Sequence, residues 1–281
     1  MSFGWTDIQM HRLKELNVAG DDLCATFDNE SDRNRAFQEL EKKRVRRERE
    51  HLDRLLDTRF RPRRCQLESQ LVSALTCEGF TQVTTPTLIS RKDLARMSID
   101  RNHPFNDQVY WVDSRRCLRP MLAPGLYHLM KDLARIRPVK PIRFFEIGAC
   151  FRKESSGGRH AGEFTMLNIV EMRVPLGSRK ARLQSLAEQV LSAAGIDAHD
   201  LVDESSEVYE ATTDIVCGPE QLEVASCAVG PHPLDTAWGI VDTWVGLGFG
   251  LERLMMAREK SPGIGKWCKS VSYLDGIRLT L

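Results

Sequence analysis

Two arginines and their neighbours carry the chemistry that this sequence makes available. The first lies in Phe151-Arg152-Lys153-Glu154, a strand end with its turn. The second closes Gly246-Leu247-Gly248-Phe249-Gly250-Leu251-Glu252-Arg253, a strand with three alternating glycines that runs into a helix. A guanidinium keeps its charge and offers a planar fork of parallel donors, the side chain best matched to a phosphate. Alternating glycines clear one face of a strand and let a ligand approach the backbone. In this order the two segments predict an ATP held between Arg152 and Arg253, and hence adenylate-forming chemistry.

Other uses of these residues fail on spacing. The glycines read GxGxG near the chain's end, not GxGxxG at the start of a βαβ unit with an acidic residue about twenty positions on. Gly265-Lys266-Trp267 lacks the earlier glycine and the Ser/Thr of a P-loop. There is no HExxH and no GxSxG, and the seven histidines are scattered, which excludes the common metalloprotease and hydrolase signatures.

A chain of 281 residues with 42% hydrophobic content can bury one large core and a small accessory domain. The net charge of +1 says nothing about partners, but its distribution does. Residues 33–64 hold 13 Lys/Arg against 6 Asp/Glu. The eight cysteines form no CxxC pair, as expected for reduced thiols in a cytoplasmic protein. The N-terminus has no basic head followed by an apolar run, and no apolar stretch reaches eighteen residues, so neither secretion nor membrane insertion is expected.

The elements that must position the arginines follow from periodicity. Leu13, Leu16, Val18 and Leu23 give a short amphipathic start. A helix over Arg33–Leu56, capped by Asp28 or Ser31, carries sparse apolar positions and a dense charged face. Its Lys42, Lys43, Arg46 and Arg47 fit either a solvated, salt-bridged surface or a contact with a phosphate backbone. Further helices are expected over Gln66–Cys77 ending at Gly79, from Pro124 to Ile136, over Arg179–Ala194 closed by Gly195, and over Leu251–Arg258. Strands are expected at Phe80–Val83, Thr87–Ile89, Val109–Val112, Ile142–Ile147, Ala149–Phe151, Phe164–Met172, Glu207–Tyr209, Ile215–Val216 and Leu222–Val229, besides the glycine strand. Ser155-Ser156-Gly157-Gly158 reads as a flexible loop. Strands joined by hairpins, with helices grouped apart, predict an α+β fold on a mainly antiparallel sheet.

Three segments in order resemble the signature motifs of class II aminoacyl-tRNA synthetases: Gly79 to Leu88 around Pro86, Arg152-Lys153-Glu154 through Glu163-Phe164, and the glycine strand with Glu252-Arg253. Four more narrow the resemblance to the catalytic domain of the pyrrolysyl-tRNA synthetase family: Cys117 to Pro124, Phe145-Glu146-Ile147-Gly148, Phe164 to Asn168, and Trp244-Val245-Gly246. The likeness runs from Trp5 to Leu281. It implies a class II antiparallel sheet flanked by helices over 59–281, preceded by a basic helical tRNA-contacting segment over 1–58. The separate small N-terminal tRNA-binding domain of some members is not in this sequence, which implies a stand-alone short form or one half of a split pair.

The resemblance also assigns roles. Arg152 would bind the α-phosphate and the substrate carboxylate, and Glu154 would accept from the adenine amino group. Phe164 would stack on the ring opposite Arg253, with His160 and Ala161 reading the adenine edge and Gly248 flooring the ATP site. Glu223 and Ser226 would hold Mg²⁺. Ala123, Leu126, Tyr127 and Met130, at helical spacing, would line an apolar amino-acid pocket with Val170, Trp244 and Gly246. That helical stripe reads equally as plain core. Asn168 would donate to the side-chain carbonyl of pyrrolysine, and Tyr209 would bond its ring nitrogen. Lys42, Lys43, Arg46 and Arg47 would touch tRNA. A homodimer, a suppressor-type tRNA and a separate small tRNA-binding protein are the implied partners.

Three residues depart from the family's pattern: Gly125 stands where a polar residue is expected, Val170 replaces a small polar or sulfur side chain, and Met130 a differently shaped apolar one. They alter the pocket and leave the ATP residues unchanged. A class II ligase for another bulky apolar amino acid, or a non-catalytic tRNA-binding paralogue, remain the competing expectations.

Overall fold

The computed structural model describes residues 3–137, 139–153, 158, 160–206 and 208–280. They form two compact units, Met1–Arg63 with Ser270–Leu281, and Arg64–Lys269.

In the first unit, helix α1 (Asp7–Glu15) opens with a reciprocal cap between Thr6 and Gln9 and buries Leu13. Helix α2 (Glu30–Asp57) is capped by Asn29 rather than by Asp28 or Ser31. Asn29 has the extended backbone that a cap requires, and its side-chain oxygen accepts from Asp32 N at 2.9 Å. Trp5 packs on Phe27 and Phe37, with ring centroids 4.6 and 6.3 Å away. Lys42, Lys43, Arg46 and Arg47 are all exposed on α2. A short hairpin, Tyr273–Leu274 with Ile277–Arg278, closes this unit, and Asp275 at its turn takes Arg63 Nε at 3.0 Å.

The second unit is built on a sheet whose glycine strand lies inside it. In chain order the strands are β1 (Thr81–Gln82), β2 (Leu88–Ser90), β3 (Arg116–Leu118), β4 (Ile142–Phe151), β5 (Glu163–Met172), β6 (Asp200–Ser206), β7 (Glu210–Cys217), β8 (Leu222–Gly230) and β9 (Trp244–Gly250). Among the described residues, seven of them form one sheet in the order β1-β4-β5-β9-β8-β7-β6. Only β1 pairs in parallel, with β4; the other neighbours are antiparallel. Strands β2 and β3 pair separately. The helices are α3 (Arg63–Cys77), α4 (Arg91–Arg96), α5 (Ala123–Ile136), α6 (Arg179–Ala194), α7 (Asp235–Trp238) and α8 (Leu251–Arg258). This is the expected α+β class II synthetase architecture.

Strand alternation sends successive side chains to opposite faces and so makes two cores. Leu167, Ile169, Leu247 and Phe249 join Leu71 of α3, Leu186 of α6 and Leu254 of α8. Val170, Met172 and Trp244 face the other way, toward Leu126, Tyr127 and Met130 of α5. Helix α6 ends as read, with Gly195 left-handed at φ 72°. Pro124 sits in the first turn of α5.

Two expected strands are absent. Val109–Val112 follows a 3₁₀ turn over Pro104–Gln108, and Trp111 makes a single bridge to Cys117. Residues 208–209 form a turn, because Ser206 Oγ accepts from both Val208 N and Tyr209 N in place of ladder bonds; Glu207 lies outside the described residues.

A buried pair braces the start of α5. Arg119, 4% exposed, meets Glu146, 1% exposed, at 2.7 Å. Glu146 also accepts from Thr85 N and Oγ1. Such a pair is stable only while every partner is supplied. Gly125 belongs to this arrangement: a Cβ there would lie 2.4 Å from Thr85 Oγ1. The position takes glycine because Thr85 occupies the space. No helix among the described residues is long and apolar enough to cross a membrane.

Candidate active site

A cavity of about 490 Å³ opens on the sheet face shared by β5, β9 and β8. Its floor is a set of cross-strand rungs: Asn168–Gly248–Ser226 and Val170–Gly246–Ala228, with Met172–Trp244–Gly230 at one end. The central member of two rungs is glycine, so the floor is open at the middle strand.

Arg152 and Arg253 both line this cavity. Arg152 lies just beyond β4. Its Nε donates to Pro120 O at 3.0 Å, and its guanidinium sits 5.1 Å from the Phe105 ring and 5.2 Å from the Phe164 ring. Contact with the two rings orients the guanidinium by cation–π attraction. Arg253 projects from the first turn of α8 and reaches Glu223, at its carbonyl and at Oε1, both 3.1 Å. Behind it Glu252 is 2% exposed and accepts from Thr165 N at 2.9 Å. Burial outweighs these hydrogen bonds and raises the Glu252 carboxyl above its usual range. His160, Ala161 and Phe164 also line the cavity; Glu154 lies outside the described residues.

Glu223 and Ser226 stand three apart on β8, which regular alternation would place on opposite faces. Both line the cavity. The register explains it: Ile215 pairs with Ala225, but Val216 pairs with Glu223, so Val224 is an extra residue. This bulge reverses the alternation and brings both oxygen-bearing side chains to one side. Among the described residues no group of three or more His, Cys, Asp or Glu converges. Glu223 and Ser226 offer two hard oxygens, a set that would suit an ion taking most of its ligands from phosphate and water.

The other end is apolar, formed by Ala123, Leu126, Tyr127 and Met130 of α5 with Val170 and Trp244. The helical stripe is thus both core and cavity wall. Asn168 is its polar exception. Its Oδ1 is buried without a hydrogen-bond partner among the described residues. Gly248 makes room for that amide, since a Cβ would lie 3.3 Å from Asn168 Nδ2. Gly246 and Gly230 do the same for Trp244: added Cβ atoms would fall 3.0 Å and 2.0 Å from its ring. The glycines therefore accommodate the protein's own side chains as well as leaving the floor open.

Two residues outside the cavity hold its walls and were missed in the sequence. Asp235, 5% exposed on α7, accepts from Trp244 Nε1 at 3.0 Å, from Tyr127 Oη at 3.4 Å and from His232 N at 2.8 Å. Burial, with Tyr209 and Asp235 nearby, raises the Tyr127 hydroxyl far above its ordinary range, so it stays a neutral donor. His232 Nε2 meets Tyr209 O at 2.8 Å. Only the short Pro231–Trp238 stretch after β8 would have marked them, and it carries no periodic signal. Phe105 was also missed, because it falls in the irregular turn before Val109.

This sheet and this cavity define the catalytic domain of a class II aminoacyl-tRNA synthetase. The family model described as phenylalanyl tRNA synthetase beta chain CLM domain matches residues 57–213. Threonine–tRNA ligase of Wolbachia sp. subsp. Brugia malayi (strain TRS) is 29% identical over 141 residues, 47% of this chain and 22% of that protein. The corresponding ligase of Wolbachia sp. subsp. Drosophila simulans (strain wRi) is 27% identical over 166 residues, 56% and 25%. The chain thus spans about a quarter of those curated relatives. The crystal structure of pyrrolysyl-tRNA synthetase from Desulfitobacterium hafniense superposes with a TM-score of 0.92, at 49% identity and with both chains fully covered. A second structure, of Desulfitobacterium hafniense PylSc, a pyrrolysyl tRNA synthetase, gives 0.89 at 48%, covering 100% of this chain and 96% of that one. The chain belongs to the class II synthetases that the family model represents and, among them, to the pyrrolysyl-tRNA synthetase family.

Proposed function

We propose that this chain joins pyrrolysine to ATP as the aminoacyl adenylate and then esterifies it to the 3′ end of a suppressor-type tRNA. One observation carries the reading: Arg152 and Arg253 face a single cavity whose far end is largely apolar, with the buried Asn168 Oδ1 lacking a partner among the described residues. Arg152 binds the α-phosphate beside the substrate carboxylate and stabilises charge on phosphorus in the transition state. Arg253 and Phe164 bracket the adenine, with His160 and Ala161 along its edge. Glu223 and Ser226 hold Mg²⁺, which neutralises phosphate charge when bound. The Glu154 role, an acceptor for the adenine amino group, lies outside the described residues.

Asn168 donates to the carbonyl of the substrate side chain; leaving its amide unpaired costs about 1–3 kcal/mol, which disfavours a plain hydrocarbon side chain. Tyr209 bonds the pyrroline nitrogen. Val170 and Met130 set the pocket's width. Lys42, Lys43, Arg46 and Arg47 contact tRNA phosphates. The working form is a cytoplasmic homodimer, either a stand-alone short form or one half of a split pair with a small tRNA-binding protein.

ATP–pyrophosphate exchange with pyrrolysine, with phenylalanine and with no amino acid tests the reading. Exchange only with pyrrolysine is expected. Exchange only with phenylalanine would replace the substrate, and none with either would point to a tRNA-binding paralogue.

A further inference from the structure

We propose that His232 is a positioning residue for amino-acid recognition: its imidazole latches the Tyr209 turn over the cavity before any substrate arrives. The inference rests on the reading that Tyr209 bonds the pyrroline ring.

Tyr209 lines the cavity from the connection between β6 and β7, at the far edge of the sheet. Its turn has local bonds, Val208 N and Tyr209 N to Ser206 Oγ and Ala211 N to Tyr209 O, and Val208 and Tyr209 pack against the apolar cluster of the wall, contacts that carry no direction. His232 supplies a tie. The proton positions on its ring follow from its neighbours. Nδ1 lies 3.2 Å from Leu234 N, a donor, so Nδ1 is bare and accepts. The proton is therefore on Nε2, which donates to Tyr209 O at 2.8 Å. The imidazole also meets the Tyr209 ring edge to face, at 5.4 Å between centroids. Its backbone is anchored in turn, since His232 N donates to Asp235 Oδ2, and the same carboxylate holds Trp244. One buried carboxylate thus fixes a wall of the pocket directly and its tyrosine cap through His232.

A cap held shut by the protein need not be ordered by the substrate, so part of the binding cost is met in the free enzyme. Loss of the latch should weaken amino-acid binding while leaving ATP binding intact. A net hydrogen-bond loss corresponds to roughly three- to tenfold in KM.

Pyrophosphate exchange in the full chain tests this with two amino acids, pyrrolysine and a lysine acylated with cyclopentanecarboxylic acid, which lacks the ring nitrogen. His232→Asn keeps an acceptor near Nδ1 for Leu234 N but is too short to reach Tyr209 O. His232→Gln places an amide nitrogen near the position of Nε2. We expect His232→Asn to raise the pyrrolysine KM several-fold with kcat and the ATP KM unchanged, and His232→Gln to restore most of it. An unmoved KM in His232→Asn would overturn the latch, as would a glutamine variant no better than the asparagine one. Tyr209→Phe separates the underlying reading. If the phenylalanine variant prefers pyrrolysine over the carbon-ring analogue as strongly as the parent does, Tyr209 does not read the nitrogen. A raised KM for both amino acids in His232→Asn would then still support a latched cap.

Discussion

Asn168 on β5 and Gly248 on β9 are rung partners, and a Cβ on the glycine would lie 3.3 Å from the asparagine's amide nitrogen. The bare position beside the amide sets where that amide points. At the next rung the contact is tighter, 3.0 Å between an added Cβ on Gly246 and the Trp244 ring. Gly246→Ala should therefore raise the amino-acid KM more than Gly248→Ala, by about tenfold against a few-fold, because moving an indole wedged on Gly230 costs more than tilting an amide. Steady-state exchange at saturating ATP checks the order; equal effects would refute it.

Arg152 donates to the Pro120 carbonyl and lies against the rings of Phe105 and Phe164, at the cavity rather than in the core. Arg152→Ala should lower kcat for exchange by at least roughly 10²–10³-fold with the folded state intact by circular dichroism. Arg152→Lys should recover little, since an ammonium cannot present two parallel donors between the rings of Phe105 and Phe164. Exchange undiminished in Arg152→Ala would take that side chain out of the mechanism.

Asp235 serves three donors, on Trp244, Tyr127 and His232. Asp235→Ala leaves all three unpaired, two of them buried, and should cost about 2–4 kcal/mol of stability together with most amino-acid affinity. Denaturant unfolding alongside exchange measures both. An unchanged unfolding midpoint would show that the carboxylate holds nothing.

The exposed cations of α2 can be probed without the cavity. Replacing Lys43, Arg46 and Arg47 with glutamine should weaken tRNA binding and make its logarithmic salt dependence shallower by about 2–3, if each neutralises one phosphate. Filter binding across a salt series reads the slope. A slope equal to the parent's would return this face to ordinary solvent.

The cysteines differ sharply in reactivity. Cys24 and Cys77 are exposed, whereas burial pushes the thiols of Cys117 and Cys217 up to about 11 and that of Cys150 to about 12. At pH 8 a disulfide reagent should label Cys24 and Cys77 quickly and Cys117, Cys150 and Cys217 only after unfolding. Because the folded thiols are raised above their unfolded values, they do not ionise in the native state near neutrality. Stability should begin to fall only as the pH rises past the ordinary thiol range, where the unfolded chain ionises first. Fast labelling of Cys117 in the native protein would contradict the burial.

Local signals in the sequence determined much of this protein. Pro124 opening α5, Gly195 closing α6, the alternating apolar residues of β5 and the glycines of β9 are decided within a few residues, by dihedral preference and periodicity. The two arginines were legible because guanidinium chemistry is narrow and their neighbours form ordered motifs. Tertiary structure alone decided the rest. Glu223 and Ser226 share a face only because β8 bulges at Val224 against β7, a register choice made between strands. Asp235 joins Tyr127, 108 residues earlier in the chain, to Trp244 only after α5, α7 and β9 have packed. Such convergence depends on the free energy of long-range burial, which leaves no period in the sequence to read.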